Sequence, residues 1–302
     1  ENYKEGFLNV IDENAIKERK LKIVIDYSFG LATQIFPSIL GMLGCETISL
    51  NAYLDEDKIT RTESEFNHAL NQMSTIVRTV DADVGILIDA GSEKIFVTDE
   101  KGNILSGDDL LAAFIFMLAR VKKVKKCCVP ISASRRLDSM AKNNNFKIIR
   151  SKFNTRFMSL QAVKEGADFV GETKGGFMFP HFQPAFDGLM SIAQLLELIA
   201  KCNKKLSSVV KEVPNSTFMI RDHIFCPWEK KGTVMRRLLD IEKKRRLELI
   251  DGVKIFFKND WVLVIPDGEK AIFHINAEAA TEDRARKLVN KYIDIISKIR
   301  EE

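Results

Sequence analysis

Residues Asp83 to Asp108 read DVGILIDAGSEKIFVTDEKGNILSGD, and this stretch decides how the rest of the chain is interpreted. Apolar GILI leads into a short polar loop at residues 89–94, apolar IFV follows, and a tight turn separates it from a strand-like ILS. The loop begins at Asp89 and carries a second carboxylate at Glu93. Proteins hold Mg²⁺ with one or two carboxylates together with phosphate oxygens of a substrate. The sequence therefore predicts two strands joined by a loop in which Asp89 and Glu93 are candidate metal ligands. The alternative is that both carboxylates are ordinary turn residues between the two strands.

Strands and helices alternate on both sides of this stretch. Lys22 to Asp26 is an apolar strand, a helical segment ends at the stop signal Gly44, and Glu46 to Leu50 is the next strand. Such a βαβ unit is typical of a mostly parallel sheet covered by helices. We expect Asp108 to cap the helix that follows the loop. The remaining predicted helices lie at 64–80, 134–143, 156–165 and 188–201, and the remaining strands at 127–130, 146–149 and 168–170.

The last third of the chain has a different pattern. Beyond Pro214, strand-like segments follow one another with short connections and stand beside two helical segments, which is typical of antiparallel pairing. The predicted fold class is α/β, with two α/β domains that have mixed sheets, followed by a smaller α+β domain. The predicted domains are residues 1–121, 122–213 and 214–302. In the last of them, strands are predicted at 217–220, 253–257, 261–265 and 271–277, and helices at 232–246 and 281–300.

Composition excludes several classes of protein. With 302 residues, 45% hydrophobic and 29% charged, the chain is predicted to be globular and to hold two or three domains. A net charge of +4 gives no basis for a nucleic-acid partner, and the basic runs at 122–126 and 243–246 are interpreted as solvated helix ends or turns. Five Cys residues without metal-ligand spacing indicate reduced thiols in the cytoplasm. The longest apolar run, 110–119, is too short for a membrane span, and the absence of an initial Met suggests a piece of a longer protein.

Four segments resemble the phosphohexomutase superfamily, the phosphomannomutases and phosphoglucomutases, in the order of that family's domains two, three and four. The strand and turn at 22–30 is similar to the family's strand ending in Asp-x-x-x-Gly, and the loop at 89–94 is similar to its metal loop, Asp-Gly-Asp-x-Asp-Arg. Residues 151–176 resemble the Thr-Lys-x-Gly segment and the sugar-binding Gly-Glu-x-Ser-Gly-His loop. Residues 261–279 overlay, without a gap, the phosphate loop Arg-Pro-Ser-Gly-Thr-Glu-Pro and the strand after it.

The resemblance implies a Mg²⁺ site and sugar-phosphate binding, but each loop departs from the family pattern. The metal loop keeps only its first Asp, and the sugar loop keeps the Glu that in the family accepts hydrogen bonds from sugar hydroxyls. In the phosphate loop an Arg has become Ile265, a Ser has become Asp267, and a later Arg has become His274. A carboxylate beside a phosphate costs several kcal/mol. The substrate-binding residues predicted by the resemblance are Lys94, Lys152, Glu172, Lys174, Gly175, Asp267, Gly268 and Lys270.

The sequence holds no segment like Thr-Ala-Ser-His-Asn-Pro, which in the family carries the transferred phosphoryl group, so no catalytic residue is predicted. We expect a catalytically silent phosphohexomutase-like module that serves a regulatory or scaffolding role. Its expected partners are upstream domains of the same polypeptide, such as a nucleotidyltransferase similar to mannose-1-phosphate guanylyltransferase. The alternative is a fragment of an active hexose-phosphate mutase whose phosphoserine domain lies upstream. A third reading keeps a sugar phosphate or nucleotide sugar as an effector bound by Lys152, Glu172 and Lys174.

Overall fold

The computed structural model describes residues 2–214 and 217–301, which form two compact units. The first consists of Glu1–Ala133, Leu137–Ile149 and Asn154–Pro214, and the second of Ser134–Arg136, Arg150–Phe153 and Asn215–Glu302. Up to Pro214 the helices are α1 Asn2–Asn9, α2 Glu13–Arg19, α3 Phe36–Met42, α4 Glu63–Thr79, α5 Gly107–Val121, α6 Arg136–Asn144, α7 Thr155–Glu165, α8 Gly188–Cys202 and α9 Leu206–Glu212, with a 3₁₀ turn at Leu31–Gln34. The strands of the same part are β1 Lys22–Asp26, β2 Glu46–Leu50, β3 Val84–Ile88, β4 Ile95–Asp99, β5 Lys126–Pro130, β6 Lys147–Ser151, β7 Phe169–Gly171 and β8 Phe177–Met178.

The first sheet has the strand order β2-β1-β3-β4. Strand β1 pairs in parallel with both β2 and β3, and β4 pairs antiparallel with β3 across the loop that the sequence predicts as a metal site. Parallel neighbours require a crossover connection, which α3 and α4 provide. The predicted βαβ unit and the mixed character of the sheet are confirmed.

The second sheet, in the order β6-β5-β7-β8, repeats this design, with β7 parallel to β5 and antiparallel to β8. One continuous apolar cluster contains side chains from both sheets, such as Ile25 and Phe169, together with most of α5 and α8. Phe114 of α5 lies at its centre, with its ring centroid 4.4 Å from that of Phe177. The two sheets of the first unit thus share a core around α5 and α8, whose near-uniform burial fits apolar residues on all sides.

The second unit contains β9 Phe218–Phe225, α10 Trp228–Glu242, β10 Leu247–Glu248, β11 Val253–Phe256, β12 Trp261–Pro266, β13 Ile272–Ala279 and α11 Glu282–Glu301. The strands form one antiparallel sheet in the order β10-β11-β12-β13-β9. Helices α10 and α11 supply Leu238, Val289 and Tyr292 to the core of this sheet. The predicted α+β domain with antiparallel strands is confirmed.

Several local predictions are wrong. Ser106 caps α5, not Asp108, because the Ser106 side chain accepts a hydrogen bond from the Asp109 N–H. The strand expected around Ile104 is reduced to an isolated bridge between Ile104 and Thr98. The helix expected at 232–246 begins and ends earlier, at Trp228 and Glu242. Sequence reasoning also missed α1 and α2. Within the described ranges, no helix is long and apolar enough to cross a bilayer.

Candidate functional site

The predicted metal loop is a tight turn held by its first residue. Asp89 follows β3 directly, and its Oδ1 accepts hydrogen bonds from the backbone N–H groups of Glu93 (2.8 Å) and Lys94 (2.9 Å). The Asp89 backbone closes the loop from both ends, since its N–H donates to the Lys94 carbonyl and its carbonyl accepts from the Ser92 N–H. Ser92 itself has φ of +58°, an unusual conformation for a residue with a Cβ. The Asp89 carboxylate therefore holds the shape of the loop.

The donor set of this loop is smaller than the one it resembles. Gly91 has no side-chain oxygen, Glu93 is exposed, and one oxygen of Asp89 is already bound by two N–H groups. Across residues 2–214 and 217–301, no group of three or more His, Cys, Asp or Glu side chains lies close enough to hold a metal ion. Octahedral Mg²⁺ with so few protein oxygens would depend on water and substrate for its remaining ligands. Mg²⁺ binding by Asp89 and Glu93 stays a prediction.

The sugar loop is hydrogen-bonded to the strand that leaves the metal loop. It begins after β7, and the Glu172 N–H donates to the Gly176 carbonyl at 2.9 Å. The Ile95 N–H donates to the Gly175 carbonyl at 2.9 Å, and Gly176 forms a bridge with Lys94. Gly175 has φ of +90°, and a Cβ there would lie 2.4 Å from the Ile95 carbonyl oxygen. Only glycine allows this close approach, which joins the two predicted loops into one site.

Glu172 is the buried acid of this site. It is 6% exposed, and its Oε1 lies 3.7 Å from the Lys94 Nζ, too far for a hydrogen bond. Among the described residues that Oε1 has no hydrogen-bond partner, although it is buried. Burial raises the pKa of Glu172 above its ordinary value, and the charges of Lys94 and Lys174 offset this only in part. The structure thus places the positive charges of Lys94 and Lys174 near the same buried acid.

Helices α5 and α8 support the two loops through residues that sequence reasoning did not select. The Gly188 N–H at the start of α8 donates to the Ser92 carbonyl at 2.7 Å. Asp187 caps this helix by accepting from the Met190 N–H, and it also accepts from the Tyr3 hydroxyl at 2.8 Å. At the start of α5, a Cβ on Gly107 would lie 1.9 Å from the Thr173 carbonyl oxygen. The signal in the sequence was a polar residue followed by Gly at each helix start, which indicates a cap but not the loop it contacts.

The predicted phosphate loop lies in the second unit, between β12 and β13. Its backbone N–H groups donate hydrogen bonds to a carboxylate of the same loop. The Asp267 Oδ1 accepts hydrogen bonds from the backbone N–H groups of Glu269 and Lys270, both at 2.7 Å. The Oδ2 of Asp267 lies 2.7 Å from the Nε2 of His274. The pKa of Asp267 is lowered to about 2. The largest cause is the hydrogen bond from the Glu269 N–H, which outweighs the opposing effect of burial, and His274 and the Lys270 N–H lower the pKa further. Gly268 and Lys270 are exposed on the same loop.

Lys231 of α10 holds the loop from the other side. Its Nζ donates to the carbonyls of Asp267 and Lys270, each at 2.6 Å, and lies 3.6 Å from the centroid of the Trp228 ring. Lys231 is only 8% exposed, and Lys side chains are rarely buried to this extent unless their ammonium group is paired. Sequence reasoning missed it, because a single Lys on an amphipathic helix carries no signal.

Lys152, the remaining predicted substrate residue, groups with the second unit. It is exposed and precedes Phe153, whose N–H donates to Asp251. The structure therefore places Asp89, Glu93, Lys94, Glu172, Lys174 and Gly175 together in the first unit. It places Asp267, Gly268 and Lys270 together on one loop of the second.

Two domain models of one protein family match this chain. Residues 1–102 match the family described as phosphoglucomutase/phosphomannomutase, alpha/beta/alpha domain II, and residues 106–217 match domain III of the same family. The chain is 31% identical over 302 residues to a protein of Thermococcus kodakarensis named phosphoglucomutase/phosphomannomutase, with 99% of this chain and 65% of the relative covered. It is 30% identical to a probable phosphoglucosamine mutase of Methanopyrus kandleri, with 97% of this chain and 65% of the relative covered.

Solved structures share the fold. A phosphoglucomutase/phosphomannomutase family protein from Burkholderia thailandensis superimposes with a TM-score of 0.84 at 18% identity, covering 99% of this chain and 64% of the other. A putative phosphomannomutase from Thermus thermophilus gives a TM-score of 0.75 at 16% identity, covering 98% and 65%. This chain therefore spans about 65% of the length of the curated relatives it matches. Together with the two domain matches, these similarities establish that the chain belongs to the phosphohexomutase superfamily.

Proposed function

We propose that this chain is a phosphohexomutase-type module of sugar-phosphate metabolism whose phosphate loop no longer binds a substrate phosphate. It would then act as a catalytically silent, regulatory or scaffolding part of a larger protein, of which a nucleotidyltransferase domain is one candidate. The observation that supports the proposal is that the Asp267 carboxylate accepts hydrogen bonds from two backbone N–H groups of its own loop.

The electrostatic argument is direct. The N–H groups of Glu269 and Lys270 point at an anion, and the anion they hold is a side chain of the same loop. A phosphate placed about 4 Å from this carboxylate would meet a repulsion of about 4 kcal/mol per unit of phosphate charge at an effective dielectric constant of 20. His274 cannot compensate, since its Nε2 is already paired with Asp267. Phosphate binding in the family's manner would require the loop to release its own carboxylate first.

A second candidate is a working sugar-phosphate mutase whose phosphoserine domain is supplied by another part of the protein. The observation that favours it lies in the first unit, where the backbone of the sugar loop is bonded to the strand after the metal loop. There the buried Glu172 keeps an Oε1 that accepts no hydrogen bond from the described residues. A hydroxyl of a sugar could donate to that oxygen. The names of several relatives, phosphoglucosamine mutases, point to an amino sugar phosphate as the first ligand to try.

Calorimetry with the purified chain separates these two readings. Glucosamine 6-phosphate and glucose 1,6-bisphosphate are titrated into the wild type and into Asp267→Ser, which restores the hydroxyl of the family pattern. We expect no binding by the wild type at millimolar ligand and measurable binding by Asp267→Ser, because the loop N–H groups become available. Glu269→Ser, which leaves the Asp267 carboxylate in place, is the matched control and should behave like the wild type.

A mutase assay with Mg²⁺ and the bisphosphate completes the test. Turnover by the wild-type chain well above background would contradict the silent reading. Binding of a hexose phosphate by the wild type that Lys270→Gln abolishes would contradict it equally, since the loop would then be in use.

A further inference from the structure

A concave, positively charged surface lies in the second unit, at the end of β12 opposite the phosphate loop. It encloses a cavity of about 560 Å³. The cavity is bordered by the turn between β11 and β12, by the end of α10 and by one face of α11. Strand β12 has six residues, so about 17 Å separates its two ends. The cationic residues that line the cavity are Arg245, Lys258, Arg284, Lys287 and Lys291.

These cations are gathered from three segments of the chain by the fold. Arg245 belongs to the basic run at 243–246, while Arg284, Lys287 and Lys291 lie three and four positions apart on α11 and so share a face. Lys258 is at the tip of the turn. The remaining lining comes from the rim of the core, at Phe257 and Leu288, and no acidic side chain takes part.

Nearby carboxylates fix the cations without neutralising them all. Glu242, whose side chain is 5% exposed, accepts from the Arg245 Nε at 2.7 Å and lies 3.9 Å from the Lys291 Nζ. Asp260 accepts from the Arg284 Nε at 3.0 Å, and the exposed Asp283 pairs with Lys287. Lys258 has no carboxylate within ion-pair distance among residues 2–214 and 217–301. Five cations thus face three carboxylates, all of which stand outside the lining.

The guanidinium of Arg245 also lies against an aromatic ring. Its Cζ lies 4.6 Å from the centroid of the Phe257 ring, within the range of a cation–π contact, and its Nε is bound to Glu242. A planar guanidinium fixed in this way is suited to phosphate oxygens, which it can bind through two N–H groups.

We propose that this cavity is a binding site for a small soluble anion with two or more linked phosphate groups, of the pyrophosphate class. A single phosphate carries at most two charges and is smaller than the cavity, whereas linked phosphates can contact α11 and the turn at the same time. The lining is almost wholly cationic, so recognition depends on charge and not on a large apolar ligand. This site is separate from the phosphate loop and does not depend on the function proposed above.

Calorimetry of the 302-residue chain with sodium pyrophosphate at about 50 mM salt tests the proposal, since exposed charges act over longer distances at low ionic strength. We expect binding that weakens as salt is added. Lys287→Gln combined with Lys291→Gln removes two of the five charges from exposed positions, so the fold should survive, as circular dichroism will show. Its affinity for pyrophosphate should fall about tenfold, which corresponds to about 1.4 kcal/mol.

The matched control is Lys298→Gln combined with Lys211→Gln. It removes the same charge from exposed helical positions outside the cavity and should retain wild-type affinity. No heat at millimolar pyrophosphate would overturn the proposal, as would an equal loss in both double variants. Orthophosphate binding as tightly as pyrophosphate would overturn the assignment to linked phosphates.

Two further titrations identify the source of the phosphates. Binding of the chain to vesicles containing a bisphosphorylated inositol lipid, from which pyrophosphate cannot displace it, would overturn the assignment to a soluble anion. A 20-base-pair DNA duplex that binds the cavity and that pyrophosphate cannot displace would overturn the proposal in favour of a nucleic-acid surface.

Discussion

The Oδ2 atom of Asp267 lies 2.7 Å from the Nε2 atom of His274, across the β12–β13 hairpin. Both residues differ from the phosphohexomutase pattern, which has a Ser and an Arg at these positions. The two substitutions therefore complement each other. The loop thus holds a carboxylate of its own.

This pairing predicts a pH-dependent contribution of Asp267 to stability. The pKa of Asp267 is about 2 in the folded chain, against an ordinary value of 3.8, and the hydrogen bond from the Glu269 N–H is the largest cause. An acid whose pKa is lower in the folded chain stabilises the fold at pH values above its unfolded pKa. This stabilisation is lost as the pH falls towards the folded pKa. Asp267→Asn should cost about 1 kcal/mol of unfolding free energy at pH 7, after a discount for solvent screening, and about half of that at pH 3. Urea titrations at both pH values measure it, and an equal cost at pH 7 and pH 3 would contradict the prediction.

Glu172 should show the opposite pH dependence. Burial raises its pKa, with Lys94 and Lys174 offsetting part of the effect, so the folded chain favours the protonated acid. The contribution of Glu172 to stability is then most favourable below its ordinary pKa of 4.5 and decreases as pH rises through the folded pKa. Relative to the wild type, Glu172→Gln should gain stability between pH 4 and pH 8, as thermal unfolding at a series of pH values would show. Adding Lys94→Gln to the wild type should make its loss of stability with pH steeper, and a flat difference for Glu172→Gln would refute the argument.

Gly175→Ala should separate the sugar loop from the metal loop. A Cβ at Gly175 would lie 2.4 Å from the Ile95 carbonyl oxygen, in addition to the strain of φ +90°. We expect a loss of about 2–3 kcal/mol in unfolding free energy, measured by urea denaturation. Gly166→Ala is the control, because Gly166 has φ of +63° with nothing within 4 Å of an added Cβ, and it should cost about 1 kcal/mol from strain alone. Equal losses would show that the close approach to Ile95 is unimportant.

Glu278 should be essential to the second unit. It is 1% exposed, and its carboxylate accepts hydrogen bonds from the Ser134 and Thr217 hydroxyls, the Arg135 N–H and the Trp261 Nε1. These bonds lower its pKa despite burial, the largest opposing effect. Glu278→Gln keeps the shape of the side chain but replaces an accepting oxygen with an NH₂ group that faces hydrogen-bond donors. It should therefore cost about 2–4 kcal/mol of unfolding free energy.

The control for Glu278 is Trp261→Phe, which removes one donor and should cost about 1–2 kcal/mol. Differential scanning calorimetry of both variants measures the difference. A smaller loss for Glu278→Gln than for Trp261→Phe would mean that the buried carboxylate does not organise its neighbours.

The elements of the fold were predictable because their signals are local. Strands such as β1 and β3 are short apolar runs that end in polar turn residues, and α4 and α8 are periodic segments of ordinary length. Composition alone did not assign the family. The order of four motifs, at 22–30, 89–94, 151–176 and 261–279, did, because each motif keeps residues that can be compared one by one with the family pattern.

The hydrogen bonds and ion pairs of those residues could not be predicted from the sequence pattern. The sequence by itself established a phosphohexomutase fold with altered loops, and it indicated that Asp267 would repel a phosphate. Only the tertiary structure placed the Asp267 carboxylate on the N–H groups of its own loop, with Lys231 of α10 on the loop carbonyls. It also collected Arg245, Lys258 and Lys291 around one cavity. Local patterns follow from the preferences of neighbouring residues, whereas the Lys231 bonds and the lining of the cavity join positions tens of residues apart and form only when the sheet and its helices pack together.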